Sequence, residues 1–216
     1  MATDVQPDAK AAPADPGRRP YRFTAEQFWK MIEAGVFPES HFELVRGRIY
    51  LTTKHEPHNF TVRRTVKLLR AMTPAGFYVR PEASLRHDRW SVPEPDVAVV
   101  PGDEDIFQPE PPLTSEAVLI VEVCASTPWS DYRQKAGLYA SAGVPTYWIV
   151  DVVGRKIDVF TKPRGAGREA AYAEHHAFAE GAPAPVVLDG REVGRVDAKD
   201  LLPPIEEPPK PTSPTA

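Results

Sequence analysis

The sequence has little cysteine and no long apolar run, and each shortage excludes a class of protein. The single cysteine, Cys124, excludes a disulfide framework and a structural zinc site built from several thiolates. Apolar runs such as Ala117–Val121 are far shorter than the ~20 residues that cross a bilayer, so no membrane segment is expected. The N-terminal residues lack the apolar stretch of a secretory signal, and the expected location is therefore the cytoplasm.

Proline is abundant, with 25 residues, and much of it lies at the two ends of the chain. Residues 1–20 contain four prolines and no Leu, Ile or Phe, and residues 203–216 contain six prolines. Segments with so little apolar surface cannot bury a core, so both are predicted to be disordered tails. The remaining residues, 21–202, have the length of a single domain.

The net charge of −4 excludes a protein that coats nucleic acid through bulk charge, but it leaves room for a local basic groove. A basic series at helical spacing supplies one candidate: Arg63, Arg64, Lys67 and Arg70. Such a series is either a solvated helix face or a face that contacts phosphates. These four residues are the predicted nucleic-acid contacts.

The hydrophobic pattern predicts an α/β fold with a mixed sheet. A capping box at Thr24 begins an N-terminal helix, Arg46-Gly47-Arg48 turns a short hairpin, and a second helix runs from about 58 to 72. The stretch 118–151 indicates a β-α-β unit with parallel strands, whose helix begins at Thr127 and Pro128. Strands are predicted at 77–85, 97–100, 118–123, 147–150, 156–160, 171–176 and 185–188.

Two acids interrupt these apolar strands. Glu122 lies inside a continuous apolar run, and Asp96 directly precedes another. An ionised carboxylate buried without a partner costs several kcal/mol, so it needs a raised pKa, a cation or a metal. Either each acid has a local partner, a basic side chain for Glu122 and a turn for Asp96, or both bind one Mg²⁺ or Mn²⁺ ion.

Three further residue types have a structural and a functional interpretation. Lys135 follows Asp131 by four residues, which is either a surface ion pair or an ammonium beside a metal-bound water. His55 and His58 have the spacing of weak metal ligands, although a capping or surface role is the more common one. A nucleophilic role for Cys124 is disfavoured, because no suitably placed histidine follows it.

Taken together, these residues resemble a known family. The pattern consists of Glu43 in FELVRG, His58, Pro95-Asp96, Glu122-Val123, Ser126, Asp131, Lys135, and the segment 139–151, YASAGVPTYWIVD. It is similar to the Uma-two family of restriction endonucleases, within the PD-(D/E)XK nuclease superfamily. The resemblance covers roughly residues 21–202, and the stretch from Glu122 to Asp151 is its most specific part.

The resemblance implies a restriction-endonuclease-like core: a mixed central β-sheet flanked by helices, with an N-terminal helix and hairpin. It implies that Asp96 and Glu122 bind Mg²⁺ or Mn²⁺, that Glu43 is an additional acid, and that Lys135 is the catalytic lysine. The superfamily's usual lysine position, two residues after the acid, is occupied here by Cys124, so Lys135 would act from the following helix. His58 matches a family position without a derived role.

Two functions remain open. The first is a metal-dependent endonuclease that hydrolyses phosphodiester bonds in DNA, with a homodimer expected if both strands are cut. The second is a catalytically silent module that keeps the fold and binds nucleic acid or regulates, since fold does not secure activity. A small-molecule hydrolase is disfavoured because no Ser/His/Asp or Cys/His constellation is apparent.

Overall fold

The computed structural model describes residues 19–37, 41–51, 54–125 and 129–205, except the side chains of 129–133. Most of the two tails predicted to be disordered and the predicted helix start at Thr127 and Pro128 lie outside these residues. The elements in chain order are α1 (Ala25–Glu33), β1 (Phe42–Val45), β2 (Arg48–Leu51), α2 (Glu56–Met72), β3 (Phe77–Pro81), β4 (Val97–Pro101), β5 (Leu119–Cys124), α3 (Trp129–Ser141), β6 (Thr146–Asp151), β7 (Lys156–Arg164), β8 (Ala171–Ala179), β9 (Ala184–Leu188), β10 (Arg191–Val196) and α4 (Ala198–Leu201).

A six-stranded mixed sheet forms the centre, in the order β3-β4-β5-β6-β7-β8. β5 and β6 are parallel and are connected through α3, whereas the other neighbours are antiparallel. The predicted β-α-β unit and the predicted α/β class are therefore confirmed. Both parallel strands are buried along their whole length, which explains why each is a continuous apolar run in the sequence.

The two faces of the sheet bury different side chains of β5, because alternate residues of a strand point to opposite sides. Leu119, Val121 and Val123 pack with α2, β9 and α4 in one apolar cluster. Ile120 and Cys124 pack with Leu138 and Tyr139 of α3 in another. Glu122 lies between Ile120 and Cys124 at a spacing of two, so it shares their side of β5 and its carboxylate lies on the α3 face of the sheet.

The N-terminal helix and hairpin are confirmed and place Glu43. Thr24 and Gln27 form the predicted capping box, with the Gln27 amide donating to the Thr24 hydroxyl at 3.2 Å and the Thr24 amide donating to the Gln27 side chain at 2.9 Å. Arg46 and Gly47 both have positive φ, 50° and 82°, which is the geometry of a two-residue hairpin turn. Glu43 is buried in β1, three residues before that turn.

Several predicted boundaries were wrong by a few residues. The strand predicted over 77–85 ends at Pro81, because Glu82 has a positive φ of 45° that an extended strand does not continue through. α2 begins two residues before its predicted start, and β7 and β8 run longer than predicted. β10 and α4 were not predicted. They contribute Val196 and Leu201 to the apolar cluster that also contains Val121 of β5.

Candidate active site

Three separate elements bring Glu43, Glu122 and Lys135 together. The Lys135 ammonium of α3 lies 3.0 and 3.1 Å from the two carboxylate oxygens of Glu122 in β5. It also lies 3.1 Å from Oε1 of Glu43 in β1. All three side chains are nearly buried, with 13% of the Lys135 side chain exposed. One ammonium group is therefore shared by two buried carboxylates.

Burial raises the pKa of Glu122 to about 7, since desolvation penalises the carboxylate more than the Lys135 ammonium stabilises it, while the charges of Asp96 and Glu43 add repulsion. The Tyr139 hydroxyl, one helical turn after Lys135, donates a 2.6 Å hydrogen bond to Glu122 Oε1 and opposes this rise. For Lys135, burial alone would lower the pKa, but the surrounding carboxylates outweigh burial and raise it. Lys135 therefore carries a permanent positive charge beside an acid that titrates near neutrality.

Asp96 lies at the start of β4 and is held ionised. Burial acts to raise its pKa, but His58, the Lys135 charge and the Val123 amide together lower it. The Val123 amide donates to Asp96 Oδ2 at 2.8 Å, and His58 Nε2 lies 3.1 Å from the same oxygen. Burial disfavours the His58 imidazolium, yet Asp96 outweighs this effect and raises the His58 pKa.

A second buried lysine, Lys54, lies on the other side of Asp96. Its ammonium is 3.0 Å from Glu82 Oε1, 3.7 Å from Glu94 Oε1 and 3.8 Å from Asp96 Oδ1, and only 8% of its side chain is exposed. Glu94 also contacts His41 Nδ1 at 3.2 Å, and burial raises the Glu94 pKa. The site is thus larger than the predicted set.

Carboxylates outnumber cations in this site. Five acids, Glu43, Glu82, Glu94, Asp96 and Glu122, surround two ammonium groups, those of Lys54 and Lys135, and two imidazoles, those of His41 and His58. Ligand atoms of His58, Glu82 and Asp96 lie within 4.8 Å of one another, close enough to share one metal ion. An excess of oxygen ligands around a small space fits a hard divalent cation.

The structure places most of the predicted site residues in buried or partly buried positions. Lys135 is not a surface residue, and His58 neither caps α2 nor lies on the surface. The side chain of Asp131 lies outside the described residues. Glu122 does pair with a basic side chain and Asp96 does accept a backbone amide, but both belong to the same acid-rich cluster.

The basic series on α2 is only partly available to a ligand. Arg63 pairs with Glu56 at 2.6 Å, and Arg70 pairs with Glu104 at 3.0 Å. Arg64 donates to the Asp200 carbonyl at 2.8 Å, which joins α2 to α4. Lys67 is exposed on the same helix. Two of the four predicted nucleic-acid contacts thus already face acids.

Four residues of the site are absent from the predicted set: Lys54, Glu82, Glu94 and Tyr139. Tyr139 follows Lys135 by four residues and Glu94 precedes Asp96 by two, so a search at those spacings finds both. Lys54 and Glu82 leave no such signal, because loops carry them to Asp96 from distant parts of the chain.

A mixed α/β sheet with buried acids, and a lysine that reaches them from the following helix, is the arrangement that the resemblance to restriction-endonuclease-like nucleases implies. A solved structure confirms the fold: a crystal structure titled "putative nuclease belonging to DUF820" from Anabaena variabilis superposes with a TM-score of 0.64. The match has 16% sequence identity and covers 83% of this chain and 97% of that chain.

The family model Uma2, described as "Putative restriction endonuclease", matches residues 25–192. The chain therefore belongs to this family, and the resemblance seen in the sequence is confirmed. A search of curated proteins finds no match. Within the described residues, no helix is both long enough and apolar enough to cross a membrane.

Proposed function

We propose that this protein is a metal-dependent endonuclease that hydrolyses phosphodiester bonds in DNA. One observation carries the proposal: five carboxylates converge at one end of β4 and β5 on two lysines and two histidines, His41 and His58. The lysines need only two of these acids as ion-pair partners, so carboxylate oxygens remain beyond that need. Such oxygens are the ligands that a hard divalent cation prefers.

The residues fit Mg²⁺ or Mn²⁺ as the cation. Asp96 is the central proposed ligand, and its ligand atom lies within 4.8 Å of those of His58 and Glu82. Glu122, the second predicted ligand, is outside that group of three among the described residues, and Lys135 contacts both of its oxygens. Oxygen ligands with a single imidazole suit these ions better than zinc. When bound, the cation would neutralise charge on the phosphate and acidify a water molecule.

The chain's own residues supply positioning and fixed charge. Lys135, which stays protonated, can donate to a water or to a phosphate oxygen while Glu43 and Glu122 hold its ammonium in place. Tyr139 fixes one oxygen of Glu122, and the Val123 amide fixes one oxygen of Asp96. Both acids are therefore oriented before a substrate arrives.

A catalytically silent nucleic-acid-binding or regulatory module is the second candidate, and Lys54 favours it. The Lys54 ammonium occupies the space between Glu82, Glu94 and Asp96. A lysine in that position can substitute for a metal as the cation. The two candidates therefore differ in whether a divalent ion binds at all.

A plasmid assay tests the proposal. Supercoiled DNA is incubated with the full chain and Mg²⁺, Mn²⁺ or EDTA, and nicked and linear products are quantified over time. We expect cleavage with Mg²⁺ or Mn²⁺, none in EDTA, and a loss of at least 100-fold in Glu122→Gln, since that change removes a charged ligand without changing the side chain's size. Glu192→Gln, which changes an exposed acid on β10, is the matched control.

Isothermal titration with Mn²⁺ separates the two candidates. Metal binding that Asp96→Asn weakens supports the enzyme. Absent metal binding together with absent cleavage, while DNA still binds, supports the silent module and rejects the proposal.

A further inference from the structure

Four arginines and a tryptophan form a second feature of the surface, beside the acid cluster. The turn of the β1–β2 hairpin consists of Arg46 and Gly47, and β2 begins at Arg48. The loop that packs against this turn contains Arg89 and Trp90. The Gly47 amide donates to the Trp90 carbonyl at 2.6 Å, and the Phe23 amide donates to the Gly47 carbonyl at 2.9 Å. We call Arg22, Arg46, Arg48, Arg89 and Trp90 the arginine–tryptophan surface.

Guanidinium groups hold the Trp90 ring. The Arg22 guanidinium carbon lies 4.7 Å from the ring centroid, and that of Arg89 lies 5.0 Å from it. Arg22 also donates from Nε to the Arg46 carbonyl at 3.0 Å. Cation–π contacts of this kind fix the guanidinium groups, so less conformational freedom is lost when they bind a ligand.

These arginines differ from those of α2 in their partners. Arg63 and Arg70 of α2 each pair with a glutamate, as Arg86 does after β3. The ion pairs of the described residues include Glu26 with Lys30 at 2.7 Å but none of the four arginines of this surface. Two acids lie nearby: Asp88 accepts from the Trp90 amide at 2.7 Å, and the pKa of Glu26 is lowered by Lys30 first and by Arg89 to a smaller extent. Four arginines thus exceed these acids, and the arginine–tryptophan surface is positively charged overall.

The surface adjoins the site. Arg46 follows Glu43 by three residues on the same hairpin, which is ~10 Å along a strand. Leu44 of β1 exchanges backbone hydrogen bonds of 3.1 and 2.8 Å with Val92, and the Glu94 amide lies 3.5 Å from Glu43 Oε2, so the segment that carries Arg89 and Trp90 continues into the acid cluster. A polyanion lying on the acid cluster would thus extend over this surface.

We propose that the arginine–tryptophan surface, rather than the basic face of α2, binds the phosphate backbone of the nucleic-acid substrate next to the scissile bond. The proposal rests on the proposed nuclease function in calling the bound nucleic acid a substrate. Binding of nucleic acid to this surface is tested separately, without cleavage. Arg48 and Arg89 are exposed and contact phosphates, Arg46 lies between them and the site, and Trp90 with Arg22 keeps the arrangement rigid.

Fluorescence anisotropy in EDTA measures binding of labelled duplex DNA, single-stranded DNA and duplex RNA to the full chain over a range of salt concentrations. We expect Arg48→Gln with Arg89→Gln to weaken binding about 10-fold and to reduce the slope of log K against log salt by about 2, since each lost phosphate contact removes ~0.9. Trp90→Ala should weaken binding, and Trp90→Phe should weaken it less.

The matched control is Arg63→Gln with Arg70→Gln, which removes the same charge from α2 and should change binding less than about 2-fold. Thermal denaturation confirms that each variant is folded. The proposed role of the arginine–tryptophan surface is wrong if the two double variants weaken binding equally, or if the unaltered chain does not bind nucleic acid. Binding that depends on Arg48 and Arg89 without cleavage under any metal keeps the surface and rejects the nuclease function. If the variant with Arg48→Gln and Arg89→Gln still cleaves DNA with unchanged binding and KM, the nuclease function is kept and the proposed binding surface is rejected.

Discussion

If Glu122 binds the proposed metal, its protonation state should decide whether that ligand is available. Glu122 is 2% exposed, and burial together with repulsion from Asp96 and Glu43 raises its pKa to about 7. Asp96 behaves differently, because His58 and the Val123 amide lower its pKa despite burial. Near neutral pH, Asp96 is therefore ionised while Glu122 is close to its midpoint.

Metal affinity should consequently depend on pH. Below pH 7 a cation must displace the proton of Glu122, so the affinity for Mn²⁺ should fall by up to tenfold per pH unit, whereas above pH 8 it should level off. Isothermal titration between pH 5.5 and 8.5 measures this dependence. In Glu122→Gln the slope of log affinity against pH should decrease by about one, which corresponds to one proton fewer released on binding. An unchanged slope would show that Glu122 does not bind the metal.

Tyr139→Phe tests the hydrogen bond to Glu122. Because the hydroxyl stabilises the carboxylate, its removal should move the midpoint of the pH dependence of metal binding upward. The loss of the hydrogen bond should also decrease the free energy of unfolding by about 1 kcal/mol. Tyr172→Phe is the control, because that hydroxyl donates to the Val144 carbonyl at 3.0 Å and is not bonded to Glu122. If the midpoint of the pH dependence shifts equally in both variants, the hydrogen bond from Tyr139 to Glu122 is not the cause of the shift.

At the scale of elements, Lys135 joins β1, β5 and α3. Each element contributes one charged group, and the ammonium is the contact that the two acids share. Removing one member of a buried ion pair leaves an uncompensated charge, which is far more destabilising than loss of a surface pair. The connection between these elements should therefore be electrostatic as well as apolar.

Lys135→Met should decrease the free energy of unfolding by about 3 kcal/mol at pH 8. The decrease should be smaller at pH 5, since Glu122, with its raised pKa, is then protonated and no longer needs the ammonium. Mn²⁺ should restore part of the stability at pH 8 by replacing the lost positive charge. Urea denaturation followed by circular dichroism measures all three effects.

Lys162→Met provides the comparison, because Lys162 pairs with Glu174 on the surface and has 69% of its side chain exposed. It should change stability by less than about 0.5 kcal/mol. Stability losses independent of pH in Lys135→Met would mean that its aliphatic chain, and not its charge, contributes the stabilisation.

The whole molecule is proposed to consist of one folded unit with two unstructured ends. Sequence composition predicts a domain at 21–202. Limited proteolysis followed by intact mass measurement should yield a stable fragment close to residues 21–202. A stable fragment that ends inside that range would contradict the proposed domain boundaries. So would a proline-rich end that resists the protease.

Local signals in the sequence were sufficient for most elements. Thr24 and Gln27 cap α1 as predicted, and the apolar runs around Glu122 and Trp148 become the two parallel strands. The end of β3 could not be predicted, because the positive φ of Glu82 belongs to an ordinary residue with no glycine to mark it. β10 lacked a strong apolar pattern, since it is stabilised mainly by pairing with β9.

The position of Glu122 inside an apolar strand, and of Asp96 directly before one, was enough to show that each carboxylate carries a desolvation penalty and needs a raised pKa, a cation or a metal. Which of these groups each acid meets depends on tertiary packing. Lys135 and Lys54 reach the acids from a helix and a loop, at sequence separations with no periodic signature. The reason is geometric: strand alternation fixes the face on which a side chain lies, whereas the packing of other elements against that face decides what it meets.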